Sequence, residues 1–410
     1  MTLLRSLYAA TLESPTVPIS SPNIMEFLGA EASSASGKKV TEEGVLGLPA
    51  VWRAINVISG SCASLPLHAY KPGADSRERL TSGQAATLLE EPHPDMTPFE
   101  LWETVFAHIG LWGNAYLQLL RDEHGRIAEL WPIHPGRVKV GRTSDTGTKV
   151  FLVDGKLTYR EFTSRNRSGQ ILHIPGFGYD GVCGVSPVRA ARMGLGLALA
   201  AEEYGARLFG SGSLATGILQ SEQRLTQDQA DAIQARWRAK RTGLSSSHEV
   251  IVLDSGAKFH QLSIPPADAQ FLESRRFQVA EIARMFGVPP HMLMDTEKST
   301  SWGTGIEQQS IGFVVFTLRP WLIRVEQRVS RLLRPEAAYA KYSVEGLLRG
   351  DSTQRATFYQ AMWNLGVLST NEIRALEERP PVENGDTRYR PLNMGELGTS
   401  DSTAQETSNA

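Results

Sequence analysis

The sequence predicts an α+β protein rich in helix, and three observations lead there. Short apolar runs separated by Gly, Asp, Asn and Pro fill residues 115–174, so strands dominate the middle of the chain without the regular strand–helix alternation of a doubly wound sheet. From Ser186 onward apolar residues recur instead at helical spacing over long stretches. The composition, 410 residues with 41% hydrophobic and 21% charged, is that of an ordinary folded chain long enough for two or three domains.

Charge and cysteine content exclude several classes. Lys+Arg 42 against Asp+Glu 44 leaves a net charge of −2, which argues against gripping nucleic acid by bulk charge but not against letting it pass. Cys62 and Cys183 supply neither a disulfide scaffold nor a four-thiolate zinc site, and read as small core residues of a reduced compartment. The most apolar stretch, residues 193–201, falls far short of the roughly 20 residues a bilayer span needs. Pro15 and Pro18 interrupt any signal-peptide core. A soluble, intracellular protein is expected.

Taken in order, residues 1–40 are rich in Ser, Pro, Gly and Ala and predict a flexible arm. Val51, Ile55 and Ile58 mark a helix that Pro66 ends, followed by a strand over 67–71. Thr97, Pro98 and Glu100 form a capping box for a helix whose Phe99, Trp102, Phe106 and Ile109 share one face. Gly113-Asn114 stops it, and strands are expected at 115–120, 127–132, 138–140, 150–153 and 170–174. Ser186-Pro187 opens a long helix through Phe209. Its Gly194, Gly196 and Gly205 cost roughly 1 kcal/mol each relative to Ala and leave a narrow surface. That surface suits either tight internal packing or packing against copies of itself around a ring.

Residues 213–266 look like an insertion. Thr226 and Gln229 cap a helix ending in Arg236, Arg238, Lys240 and Arg241, and 248–253 with 258–262 predict a hairpin around Asp254-Ser-Gly256. The basic run fits a helix carboxyl end, or a docking surface for an acidic partner. A second long helix over 268–286 carries Phe271, Phe277, Ile282 and Met285. Residues 295–305 are polar and too irregular for a helix. The pattern over 306–333 is one long helix containing Pro320, so a kink is expected near 317–319. Ser369 and Glu372 cap a further helix, and the tail from Met394 is expected to be disordered.

Catalytic motifs are missing. Gly176-Phe-Gly-Tyr-Asp-Gly181 has dinucleotide-turn spacing, but the next helix begins only at Ser186-Pro187, so no helix amino end would face a pyrophosphate. In Gly37-Lys38-Lys39 a lysine occupies the place where a phosphate-binding loop needs a hydroxyl for magnesium. The nine histidines, His68, His93, His108 and His134 among them, show no ligand spacing. No active site, cofactor or metal is expected.

Several ordered stretches carry a resemblance: Val51-Trp-Arg-Ala-Ile-Asn-Val-Ile-Ser through Ser64-Leu-Pro-Leu, Leu111-Trp-Gly-Asn-Ala-Tyr, and Gly184-Val-Ser-Pro-Val-Arg. Others follow from Ala267, from Glu281-Ile-Ala-Arg-Met-Phe-Gly-Val-Pro-Pro, at Ile306-Glu-Gln-Gln and at Thr317-Leu-Arg-Pro-Trp. From Val51 to about Asp386 the chain resembles the portal (head–tail connector) proteins of long-tailed double-stranded DNA bacteriophages. The resemblance implies a portal fold with wing, stem, clip and crown regions around a central channel. On it, 1–40 is an arm, 41–185 the wing, 186–212 a stem helix, 213–267 the clip and 268–294 the second stem helix and turn. Residues 295–305 become the tunnel loop, 306–344 the kinked helix returning to the wing, 345–393 the crown and 394–410 a tail.

The implied function is that of a non-enzymatic ring, typically a dodecamer, at one capsid vertex of the virion, assembled in the host cytoplasm. The genome would be packaged and ejected through it, beside the major capsid protein. The clip, through Arg236, Arg238, Lys240 and Arg241, would dock the terminase large subunit and later the head–tail adaptor proteins. Lys298, Ser299, Thr300, Ser301 and Trp302 would approach the duplex without reading bases, with Trp302 alternatively a loop anchor. Gly194, Gly196 and Gly205 would let stem helices of adjacent subunits approach closely. Twelve copies at −2 give −24, a net anionic assembly suited to a conduit that does not grip DNA. A capsid scaffold that oligomerises without conducting DNA is the alternative.

Overall fold

Two amphipathic helices form the heart of the computed structural model. α1 (Pro49–Ala63) buries Val51, Ala54, Ile55, Ile58 and Cys62. After the short α2 (Gln84–Glu90), α3 (Pro98–Trp112) buries Leu101, Trp102, Val105, Phe106 and Ile109 against it. The structure describes residues 7–9, 17–18, 34–73, 77–143, 148–178, 181–210, 217–220, 226–228, 231, 258–261, 267–294, 304–336, 338–344, 352–377 and 379–388. They divide into two units, Met1–Ser343 and Val344–Ala410.

The α3 capping box forms as expected: Thr97 Oγ1 accepts from Glu100 N–H, and the Glu100 carboxylate accepts from Thr97 N–H at 2.7 Å. Phe99 departs from expectation, being 43% exposed. The buried arc also takes in Leu101, Val105 and His108, which centres it roughly 100° away from Phe99.

Short antiparallel sheets surround this pair. β3 (Leu67–Pro72) lies between β4 (Arg77–Arg79) and β13 (Tyr339–Tyr342), so the end of the unit closes onto its beginning. β5 (Asn114–Arg121) is the centre of a β10-β5-β6 sheet with β6 (Ile127–Ile133) and β10 (Ile171–Pro175). β7 (Val138–Thr143), β8 (Lys149–Val153) and β9 (Leu157–Arg160) form a meander, and Tyr116, Ile133, Phe151, Val153 and Ile171 make one core cluster. The amino-terminal arm is not wholly irregular. β1 (Leu7–Ala9) pairs with β7 and with β2 (Val17–Pro18), because the open edge of β7 offers backbone groups that a short extended segment can satisfy.

The helix expected over 186–209 is interrupted at Ala191, giving α4 (Pro187–Ala190) and α5 (Arg192–Gly210). In the insertion, β12 (Lys258–Gln261) pairs with β11 (Gly217–Gln220). The partner expected from the sequence, 248–253, lies outside the described residues. α6 (Ala267–Phe286) returns the chain to α1.

α7 (Thr304–Gly312) then runs into a π-helical segment, Phe313–Leu318, and α8 (Arg319–Leu333). The effect of Pro320 is thus written as a π turn. Arg319 N–H reaches Val314 O, five residues back, which widens the helix just where the proline ring would crowd the carbonyl of Phe316. In the smaller unit α9 (Ser352–Asn364) precedes α10 (Thr370–Leu376), whose capping box of Ser369 and Glu372 is present.

Candidate functional site

The seam from which the long helices leave the body is built of glycine backbone. α3 ends at Gly113 with φ +72°, and a Cβ there would lie 2.2 Å from Val185 O. A Cβ on Gly184 would lie 1.9 Å from Gly113 O, and one on Gly176 3.0 Å from the same atom. Asn114 locks the crossing: its Nδ2 donates to Gly184 O (2.7 Å) and Trp112 O (3.1 Å), while its Oδ1 accepts from Gly184 N–H (2.8 Å). Ser186 caps α4 and donates to Leu111 O at 2.7 Å. Gly178 is packed onto Cys183 O, so the glycine-rich loop after β10 closes on itself well before α4 begins.

Beside the seam lies a buried polar cluster. Lys149 Nζ donates to His173 Nδ1 (2.7 Å) and Val182 O, and stands 3.9 Å from Glu161, which Arg328 of α8 also reaches at 3.1 Å. Since the ammonium only donates, His173 Nδ1 accepts and its Nε2–H donates to Asn114 Oδ1 (2.9 Å). Burial first, then the neighbouring Lys149 and Arg328 charges, hold His173 well below its ordinary range, so the ring is neutral. Desolvation likewise lowers the Lys149 ammonium, opposed by Glu161. Arg324 donates to Gly176 O at 2.6 Å. α8 is therefore fastened to the same seam from which α4 departs.

α5 follows from this seam through α4 and packs against α6. Leu195 and Ala198 of α5 are buried, and Glu202 meets Arg275 of α6 at 3.5 Å. A second face lies under residues 34–42. A Cβ on Gly196 would collide with the buried Ser34 side chain, Lys38 pairs with Glu203, and Arg189 holds the buried Glu42 at 2.8 Å. Met193 (54%), Leu197 (59%) and Tyr204 (45%) stand exposed on a third face.

Of the residues singled out in the sequence, Gly196 makes its close approach within the chain, to Ser34; Gly194 faces open space, and Gly205 is buried. Pro320 opens α8. Arg236, Arg238, Lys240 and Arg241 lie outside the described residues, as do Lys298, Ser299, Thr300, Ser301 and Trp302. Sequence reasoning missed the Lys149–His173–Glu161–Arg328 cluster, whose members are scattered through the chain. It also missed the exposed face of α5, although Met193, Leu197 and Tyr204 recur at helical spacing. Among the described residues no group of His, Cys, Asp and Glu could hold a metal ion, and no helix is long and apolar enough to cross a membrane.

Comparison with known proteins agrees with this architecture. The chain is 35% identical over 382 residues to the probable portal protein of Streptomyces phage phiC31, covering 90% of this chain and 82% of the relative. It is 33% identical over 371 residues to the portal protein of Enterobacteria phage HK97, covering 88% and 86%. In fold it matches the neck of an empty GTA particle solved with C6 symmetry, at TM-score 0.60 and 24% identity over 83% of this chain and 92% of that one. An HK97-family phage portal protein from Corynebacterium diphtheriae aligns at TM-score 0.54 and 20% identity, over 77% and 98%. The phage portal protein family model spans residues 49–378, from the first turn of α1 to just beyond α10, and the chain belongs to that family.

Proposed function

We propose that this chain assembles into a homo-oligomeric ring at one vertex of a tailed-phage capsid and forms the conduit through which double-stranded DNA enters and leaves. The observation that carries the reading is the family match across residues 49–378, which takes in the seam, the α5–α6 pair and the α7–α8 return. On this reading residues 41–185 are the wing, α5 and α6 the stem, 213–267 the clip and 345–393 the crown. The role is structural, and the motor that hydrolyses nucleotide is a separate protein.

The terminase large subunit and, after filling, adaptor proteins would dock at the clip, with Arg236, Arg238, Lys240 and Arg241 as the cationic surface. Lys298 would neutralise phosphate as the duplex passes, and Ser299, Thr300 and Ser301 would give weak, replaceable contacts. A net charge of −2 per chain fits passage rather than retention, since every added phosphate contact raises salt-dependent affinity. Gly194, with open space above it, leaves room on α5 for a neighbouring subunit.

Electron-microscopic class averages of the purified protein test the ring directly. Rings with a through-hole are the expected result, and a compact monomer at every concentration would sink the reading. Replacing residues 298–302 by a Gly-Ser segment should preserve rings and reduce the DNA packaged per head. Unchanged packaging would favour a scaffold that does not conduct DNA.

A further inference from the structure

The exposed face of α5 has a shape that identifies its cover, given the ring reading above. Successive α-helical residues turn by about 100°, which sorts α5 into three arcs. Leu195, Ala198 and Glu202 face α6, and Gly196 and Glu203 face residues 34–42. The third arc holds Met193, Leu197, Ala200, Ala201 and Tyr204, with the large apolar members exposed. α6 turns Arg275, Ile282, Ala283 and Phe286 inward. On its opposite arc Phe277 is 61% exposed, with the Arg284 guanidinium 5.8 Å from the ring centre.

A helix pair repeated by rotation about an axis along its length has a fixed order of neighbours: α5 of one copy adjoins α6 of the next. The amino end of α5 and the carboxyl end of α6 both join the body, so the two helices run antiparallel. Their register is fixed where Glu202 meets Arg275. Phe277, two residues further along α6, therefore stands level with Ala200. Rotation about such an axis preserves height, so Phe277 of the neighbour arrives at the level of Ala200 on this copy. There the third arc offers a hole of the i, i+3, i+4, i+7 kind, with Leu197 above, Tyr204 below and two alanines as its floor.

We infer that Phe277 of each copy inserts into the hole formed by Leu197, Ala200, Ala201 and Tyr204 of the adjacent copy. The contact is head-to-tail, uses two different surfaces of one chain, and closes when the last copy meets the first. It assigns the close packing between subunits to the third arc of α5 rather than to Gly196, which residues 34–42 already cover.

The test is disulfide trapping in the full-length chain carrying both Ala200→Cys and Phe277→Cys. Within one chain these positions lie on arcs that face apart, so their Cβ vectors diverge and a disulfide between them is disfavoured. Oxidation should give a ladder of covalent oligomers up to the closed ring, while each single variant gives none above background. A bridged monomer, or rings without a ladder, would overturn the contact and leave the ring reading standing. A chain that forms no rings at all would overturn both. Independently, Leu197→Asp should cut the ring fraction in sedimentation at least tenfold while the protomer keeps its circular dichroism spectrum. Rings at the unmodified level would count against the proposal.

Discussion

His108 is buried on α3 with its Nδ1 lacking a hydrogen-bond partner among the described residues, and its ring lies edge-on to Trp112 and His134. Desolvation, with a smaller contribution from His134, pushes it down from 6.5 to about 4. The unfolded chain therefore binds the proton more readily, and the stability tied to a neutral His108 is fully present above pH 6.5. It is lost as pH falls from about 6.5 to about 4, a change of about 3 kcal/mol at the low end. Urea denaturation at pH 7 and pH 5 should show a smaller difference for His108→Phe than for the unmodified chain. An equal difference would remove His108 as the source. None of this was legible in the sequence, where His108 is one histidine among nine; burial on α3 beside Trp112 and His134 creates the shift. The Lys149–His173 pair was hidden for the same reason, since residues 24 positions apart meet only once β8 and β10 are in place.

At the scale of elements, local chemistry was readable and tertiary pairing was not. Of the three capping boxes expected, those at Thr97 and Ser369 follow from a hydroxyl and a glutamate three positions apart and both formed, while that of Thr226 with Gln229 extends outside the described residues. The stop at Gly113 was equally visible, because its φ of +72° favours glycine. The pairing of β12 with β11 across the insertion was not anticipated, because a nearby turn at Asp254-Ser-Gly256 drew attention to the local partner 248–253, which lies outside the described residues. Pro320 announced a disturbance but not its form, since a π turn depends on how Phe313, Val314 and Leu318 pack beneath it. The seam gives a sharp expectation. Gly184→Ala drives a Cβ into Gly113 O, a backbone atom that cannot swing aside, so stability should fall by more than about 2 kcal/mol. A denaturation midpoint within error of the unmodified chain would contradict the crossing as described.

For the whole molecule, composition bounded the class but not the assembly. A net charge of −2 and the missing catalytic motifs narrowed the field, and the ordered resemblance from Val51 onward pointed to the family. What the sequence obscured is which surfaces stay open, because exposure on α5 depends on where residues 34–42 and α6 lie. Leu197 at 59% and Phe277 at 61% exposure are large apolar groups that association would bury, so folding and assembly should be linked by mass action. The melting temperature should rise with protein concentration for the unmodified chain and much less for Leu197→Asp; equal behaviour in the two would break the link. The seam carries a further consequence. The chain leaves the body at Ser186, tied to Leu111, and is tied back by Arg324 at Gly176, so departure and return share one hinge plate. Between them the chain meets the body again where α6 returns to α1, so the plate and α1 together carry the excursion. A change of length in the segments farthest from that plate should leave its hydrogen bonds, and the body that bears it, as they are.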